Sequence, residues 1–244
     1  MLVLALETSC RRGSVALVDS GRILADAWHD EANAHGERML GLIDAVFLRA
    51  RRLPAELTHV AAGRGPGAFT GLRVGLALAQ GIASGYGIPA VGVGSLRAMA
   101  MGMPVERQGL RWPIVDARRG ELFVACFDAD GTEIVGPRPL SRQGFADSLS
   151  RLRKDVPLPP REHCVLGHAL TEVPGLEREL READLGFAPF RSDATDWPSA
   201  GAIGQVVTLG GEVGPAAPEY LRDADATIPN LPPSPLLQPY RVGG

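Results

Sequence analysis

The tightest constraint lies at the start of the chain. Residues 2–6, Leu-Val-Leu-Ala-Leu, are apolar without a break, and two more apolar segments follow at 14–19 and 22–28, joined by Ser20-Gly21. Short apolar runs of this kind read as strands, and Asp-Ser-Gly between two of them is a hairpin signal. Three consecutive antiparallel strands are therefore expected. Met39, Leu40, Ile43, Val46, Phe47 and Ala50 then recur at three- and four-residue steps, with Glu37, Arg38, Asp44, Arg49 and Arg51 on the outer face. That is the period of an amphipathic helix. Thr58–Gly63 reads as a strand, Thr70–Tyr86 as a second helix capped by Thr70, and Pro89–Val93 as a further strand. Ser95 is placed to cap a short helix. The order βββαβα, then a strand, is that of an α/β lobe.

The second half is less periodic. Trp112–Asp116 and Glu121–Phe127 read as strands around an Arg-Arg-Gly turn, 145–153 and 199–209 as helices, and Val165-Leu166 as a short strand. Pro157, Pro159 and Pro160 break the chain. The organisation expected is a first lobe over 1–105 and a smaller second lobe over 106–222, whose late helix near 199–209 can pack back on the first. A tail follows over 223–244, where five prolines argue for extended or disordered chain.

Composition narrows the function classes. The 244 residues carry 25 basic and 28 acidic side chains, a net charge of −3, with 45% apolar and 22% charged residues. A stand-alone nucleic-acid binder would need a basic surface to meet many phosphates. Cys10, Cys126 and Cys164 are odd in number and far apart, which suits a reducing compartment. The first residues lack a basic stretch and reach Glu7 early, so they read as a strand rather than a signal peptide. The apolar stretch 72–88 holds Arg73 and several glycines and reads as a buried helix rather than a membrane span.

Four groups of residues carry candidate chemistry. Glu7, Thr8 and Ser9 end the first strand. Two hydroxyls and turn amides can face a phosphate and the acid can hold hydrated Mg²⁺, or Thr8 and Ser9 can simply satisfy a turn. Gly63–Gly75 is a glycine-rich loop entering a helix, and Gly65, Pro66, Gly67, Phe69, Thr70 and Arg73 are its marked positions. It lacks the Gly-Lys-Ser/Thr of a phosphate loop and fails the dinucleotide pattern at its third glycine. Asp116, Arg118, Arg119 and Glu121 crowd one hairpin turn, either as a solvated tip or as a polar wall of a cleft.

The fourth group is a stripe. Gly71, Gly75, Ala79, Ala83 and Gly87 recur every four residues, a smooth face where another backbone can approach. It can pack on its own sheet, or form a helix–helix subunit interface to which Met39, Ile43 and Phe47 add apolar area. Metal ligation is not expected. His29/His35 and His163/His168 lie six and five residues apart, not at the i, i+4 spacing of a helical ligand pair. No Gly-x-Ser-x-Gly nucleophile elbow occurs.

Leu-Ala-Leu-Glu-Thr-Ser at 4–9, His-Gly-Glu-Arg-Met-Leu at 35–40, Gly-Pro-Gly-Ala-Phe-Thr-Gly-Leu-Arg at 65–73, Asp-Ala-Arg-Arg-Gly-Glu at 116–121 and Pro-Glu-Tyr-Leu-Arg at 218–222 appear in one order. Together they resemble the TsaB (YeaZ) family, glycoprotease-like proteins of tRNA threonylcarbamoyladenosine biosynthesis. Glu7 stands where that family more often has Asp, and Gly36 where Ser is usual. The resemblance implies a two-lobed actin-like, sugar-kinase-like (ASKHA, ribonuclease-H-like) fold. It also implies a cytoplasmic, non-catalytic subunit with no membrane attachment, a vestigial nucleotide site at Glu7, Thr8 and Ser9, and no tightly bound cofactor. Such a subunit forms a homodimer alone or pairs through first-lobe helices with a TsaD-like catalytic subunit carrying a metal-binding His-x-x-x-His helix. A TsaE-like ATPase completes the set, ATP and Mg²⁺ are used through those partners, and tRNA is met through the complex. The alternative from another class is an ATP-dependent small-molecule phosphotransferase of the same fold, with Asp116 or Glu121 as base. A metalloprotease is a third reading and would need metal ligands.

Overall fold

The computed structural model describes residues 1–31, 33–104, 106, 109–155, 162–183, 186–192 and 195–221. In chain order the first elements are β1 (Leu2–Glu7), β2 (Gly13–Asp19), β3 (Arg22–His29), α1 (His35–Ala50), β4 (His59–Gly63), α2 (Phe69–Tyr86), β5 (Ala90–Val93) and α3 (Ser95–Met101). There follow β6 (Leu110–Arg118), β7 (Glu121–Phe127), β8 (Glu133–Ser141), α4 (Phe145–Asp155), β9 (His163–Leu166), α5 (Ala169–Glu172), α6 (Leu176–Glu182), β10 (Phe187–Phe190), α7 (Ala200–Thr208) and β11 (Gly214–Pro215). One sheet has the order β11-β5-β4-β1-β2-β3 and the other β10-β9-β6-β7-β8. β1, β2 and β3 form an antiparallel meander, and β1, β4 and β5 run parallel.

The unbroken apolar run of β1 is explained by burial on both faces. Leu2, Leu4 and Leu6 point to the side covered by α1 and α2, while Val3 and Ala5 point to the side covered by α7. β2 repeats the division, with Val15 and Leu17 on one face and Ala16 and Val18 on the other. The period of two thus sorts large residues toward two helices and small ones toward α7, where Gly204 lies against Val18 and Ala5. α3 serves both sheets: Ala98 packs with the first, and Leu96, Met99 and Ala100 with Val115, Phe123 and Phe127 of the second.

The first-lobe order βββαβα read from the sequence is the order found. Several details differ. α7, the late helix allowed to pack back, lies on the first sheet, and β11, within the range expected for the second lobe, is an edge strand of that same first sheet. β8, which carries Pro137 and Pro139, is an addition to the strands read from the sequence. It lies at a sheet edge, where a missing N–H is tolerated. Thr70 is not the cap of α2, which begins one residue earlier after Ala68. Ser95 does not cap α3 either; Gly94 holds that position, and the Ser95 hydroxyl is used elsewhere. Pro157, Pro159, Pro160, Arg222, residues 105, 107 and 108 at the expected boundary between the lobes, and the 223–244 tail lie outside the described residues.

Candidate functional site

The parallel strands β1, β4 and β5 end together, the crest where open α/β sheets usually take ligands. Here the crest is closed by its own side chains. Glu7 is fully buried. One carboxylate oxygen accepts the Ser9 amide at 2.6 Å and the other the Ser95 hydroxyl at 2.8 Å. Gly63 sits so close that a Cβ there would strike this carboxylate. Burial raises the Glu7 pKa above the usual carboxylate range, and the hydrogen bonds from Ser9 and Ser95 oppose that rise. The Thr8 hydroxyl donates to the Gly71 carbonyl at 2.8 Å, and the Ser9 carbonyl accepts from the Ala68 amide at 2.7 Å. Glu7, Thr8 and Ser9 therefore face inward, and Glu7 is not placed to hold a solvated cation.

The 65–73 loop and the 214–221 segment form one unit. β11 pairs antiparallel with β5, the Gln80 side-chain amide donates to the Ala216 carbonyl at 2.6 Å, and Arg64 bridges to Glu219 at 3.1 Å. Tyr220 stacks on Phe69 with ring centroids 4.9 Å apart. The Arg73 guanidinium lies 3.8 Å above the Phe69 ring and donates to the Tyr220 hydroxyl at 3.0 Å. Two sequence blocks far apart in the chain thus hold each other. Gly67 is required by proximity, since a Cβ there would meet the Ser9 carbonyl.

Four of the five positions of the small-residue stripe turn inward, while Gly87, at the end of α2, is exposed. A Cβ added at Gly71 would collide with the Thr8 carbonyl, and one at Gly75 with the Thr8 hydroxyl. Ala79 and Ala83 lie in the core with Met39, Ile43 and Phe47, all buried. None of these seven residues is exposed to a partner, because α1 and α2 use them to approach β1 closely. The outer face has different residues. Leu40 is 56% exposed and Leu48 81%, and Ala77 is exposed on α2. Gly36, Gly41, Gly81 and Gly85 have nothing within 4 Å of where a Cβ would stand. Sequence periodicity finds both faces; only the covering strand tells which is inside.

At the β6–β7 turn, Arg118, Arg119 and Gly120 all adopt positive φ, and the Asp116 carboxylate accepts the Arg118 amide at 2.8 Å. Asp116, Arg118 and Arg119 are exposed and Glu121 is half-buried. The Asp116 amide points to His168 Nε2 at 3.4 Å, which places this turn beside the junction of the two sheets.

A pair set aside on helical spacing also meets. His29 Nε2 and His35 Nδ1 lie 3.1 Å apart, brought together by a strand end and a helix start. Burial and then the neighbouring imidazole lower the His29 pKa. Among the described residues no three His, Cys, Asp or Glu side chains converge as a metal set, and no helix is long and apolar enough to cross a membrane.

Two twisted sheets, helices on both faces of the first, and a βββαβα opening define the class as a two-lobed actin-like (ASKHA) fold. Residues 29–138 match the family model of TsaD, tRNA N6-adenosine threonylcarbamoyltransferase. The tRNA threonylcarbamoyladenosine biosynthesis protein TsaB of Bacillus subtilis is 28% identical over 230 residues, covering 93% of this chain and 96% of its own length. The Escherichia coli TsaB is 35% identical over 133 residues; that match covers 53% of this chain and little more than half, 56%, of the relative. A crystal structure from Pseudomonas aeruginosa, described as similar to peptidase YEAZ, superposes with a TM-score of 0.68 at 26% identity, covering 91% of this chain and 99% of that one. Over nearly its whole length the chain is thus similar to a TsaB protein of tRNA threonylcarbamoyladenosine biosynthesis and to a YeaZ-like structure.

Proposed function

We propose that the chain is a non-catalytic scaffold of the assembly that transfers a threonylcarbamoyl group to the adenosine beside the tRNA anticodon. It pairs with a TsaD-like catalytic subunit, works with a TsaE-like ATPase in the cytoplasm, and meets ATP, Mg²⁺ and tRNA through them. The observation that carries this reading is the contrast between a sealed crest and an open helical face. Glu7, Thr8 and Ser9 are bonded inward, whereas Leu40, Gly41 and Leu48 of α1 and Ala77, Gly81 and Gly85 of α2 are exposed. Exposed glycines let a partner helix approach closely, and the flanking leucines supply apolar area.

The choice of partner follows from the region of kinship. The TsaD-family match covers residues 29–138, which include both helices. A TsaD-like chain would present a related helix pair, so the two can meet about a pseudo-twofold axis, as two copies of this chain can about a true one. The homodimer and the heterodimer then use one face and exclude each other. This replaces the buried stripe with the outer face as the site of pairing.

The test is an omission assay. Modification is reconstituted from the companion proteins with labelled threonine, bicarbonate, ATP and tRNA, with and without this chain. Labelled tRNA should appear only when the chain is present. Equal labelling in its absence would overturn the scaffold reading.

A further inference from the structure

Trp197 lies where the chain returns from the second sheet to the first, three residues before α7. Its indole is held from both sides of that junction. His168, which follows β9, stacks on it in parallel, with centroids 4.3 Å apart and planes 5° from each other. From the β1–β2 turn, the Arg11 and Arg12 guanidinium groups lie 5.4 and 5.0 Å from the ring centroid. Arg11 also spans the junction, bound to Asp30 at 3.0 Å in the first lobe and to Glu172 at 3.4 Å in the second. The Asp116 amide of the β6–β7 turn reaches the same imidazole.

One polar group beside the indole is poorly satisfied. Among the described residues Arg12 Nε is buried without a hydrogen bond, although Arg12 Nη2 reaches Asp30. A buried unpaired polar atom favours any arrangement that returns it to water. The closed junction is therefore held by stacking and cation–π contacts on one ring, against a polar penalty that opening would relieve. That is the balance expected of an element with two accessible arrangements.

We infer that Trp197 is a latch between the lobes, fastening the β1–β2 turn of the first to His168 and the β6–β7 turn of the second. Its release would free both turns together while leaving each sheet intact.

Hydrogen–deuterium exchange on the full chain tests this, comparing wild type with Trp197→Ala, Trp197→Phe and the double variant Arg11→Gln/Arg12→Gln. In Trp197→Ala, amides of residues 8–12 and 116–120 should exchange at least about tenfold faster, the Asp116 amide among them, with all other strand amides of both sheets at wild-type rates. The arginine variant should show the same pattern more weakly, and Trp197→Phe should stay near wild type. Wild-type rates at both turns in the alanine and arginine variants would overturn the latch. So would a uniform rise across both sheets, which would make Trp197 an ordinary packing residue. If Trp197→Ala does not fold, the arginine variant decides, since its side chains are partly exposed.

Discussion

The inner and outer faces of α2 carry the same kind of residue for opposite reasons. Inside, Gly71 and Gly75 are glycines because Thr8 leaves no room for a Cβ. Outside, Gly81 and Gly85 have open space around them, so the free chain gives no steric reason for glycine. A glycine in a helix interior costs roughly 0.8–1.0 kcal/mol relative to alanine. Inside, that cost is offset by close approach to β1. Outside, the isolated chain shows no such offset, and the partner helix proposed above would supply one.

The largest effect should come from filling the inner face. Gly75→Leu drives a side chain into the Thr8 hydroxyl and should exceed the usual 1–3 kcal/mol of core overpacking, roughly 3 kcal/mol or more, as read from urea denaturation. A near-wild-type midpoint would mean the helix can move off β1, and the contrast between faces would fail.

His168 sharpens the inward half of the comparison. Burial lowers its pKa from 6.5 to about 4, while Asp116 and Asp196 favour the proton and Arg11 opposes it. Between those values the unfolded chain binds more protons than the folded one. Stability should therefore be fully present above about pH 6.5 and fall as the pH drops toward 4. The expected loss is on the order of 3 kcal/mol, and His168→Gln should remove that part of the slope. Thermal melts of both proteins across this range check it.

The smallest effect should have the opposite sign. Gly81→Ala meets nothing in the free chain and should stabilise it by about 0.5–1 kcal/mol. Loss of stability would show that the outer face is already covered in the isolated protein.

Much of the first lobe was legible because its first strands are short apolar runs bounded by turn residues and its helices carry a strong period. The direction of the α2 stripe was not. Its four-residue repeat defines a face, while the covering residue, Thr8, is 63 positions away in sequence from Gly71. Ser95 shows the same limit. Its position before a short helix suggests a cap, yet its hydroxyl is drawn to the buried Glu7 carboxylate, which local sequence cannot reveal. His29 and His35 were judged by helical spacing, but they meet across a strand end and a helix start. β8 went unread: Pro137 and Pro139 interrupt it, and its pairing with β7 at the sheet edge is what makes it a strand. Phe69, Arg73 and Tyr220 were marked by the resemblance as separate blocks, and only the packing joins them into one.

The central claim is that the outer face of α1 and α2 receives the partner while the inner face only builds the lobe. The most direct measurement is the affinity of a TsaD-like subunit for Gly81→Arg and Leu48→Glu, by titration calorimetry, with thermal melts of each variant alone. The account predicts wild-type melting within the range of ordinary surface substitutions, about ±0.5 kcal/mol, and at least about a hundredfold loss of affinity. Unchanged affinity in both folded variants would contradict it.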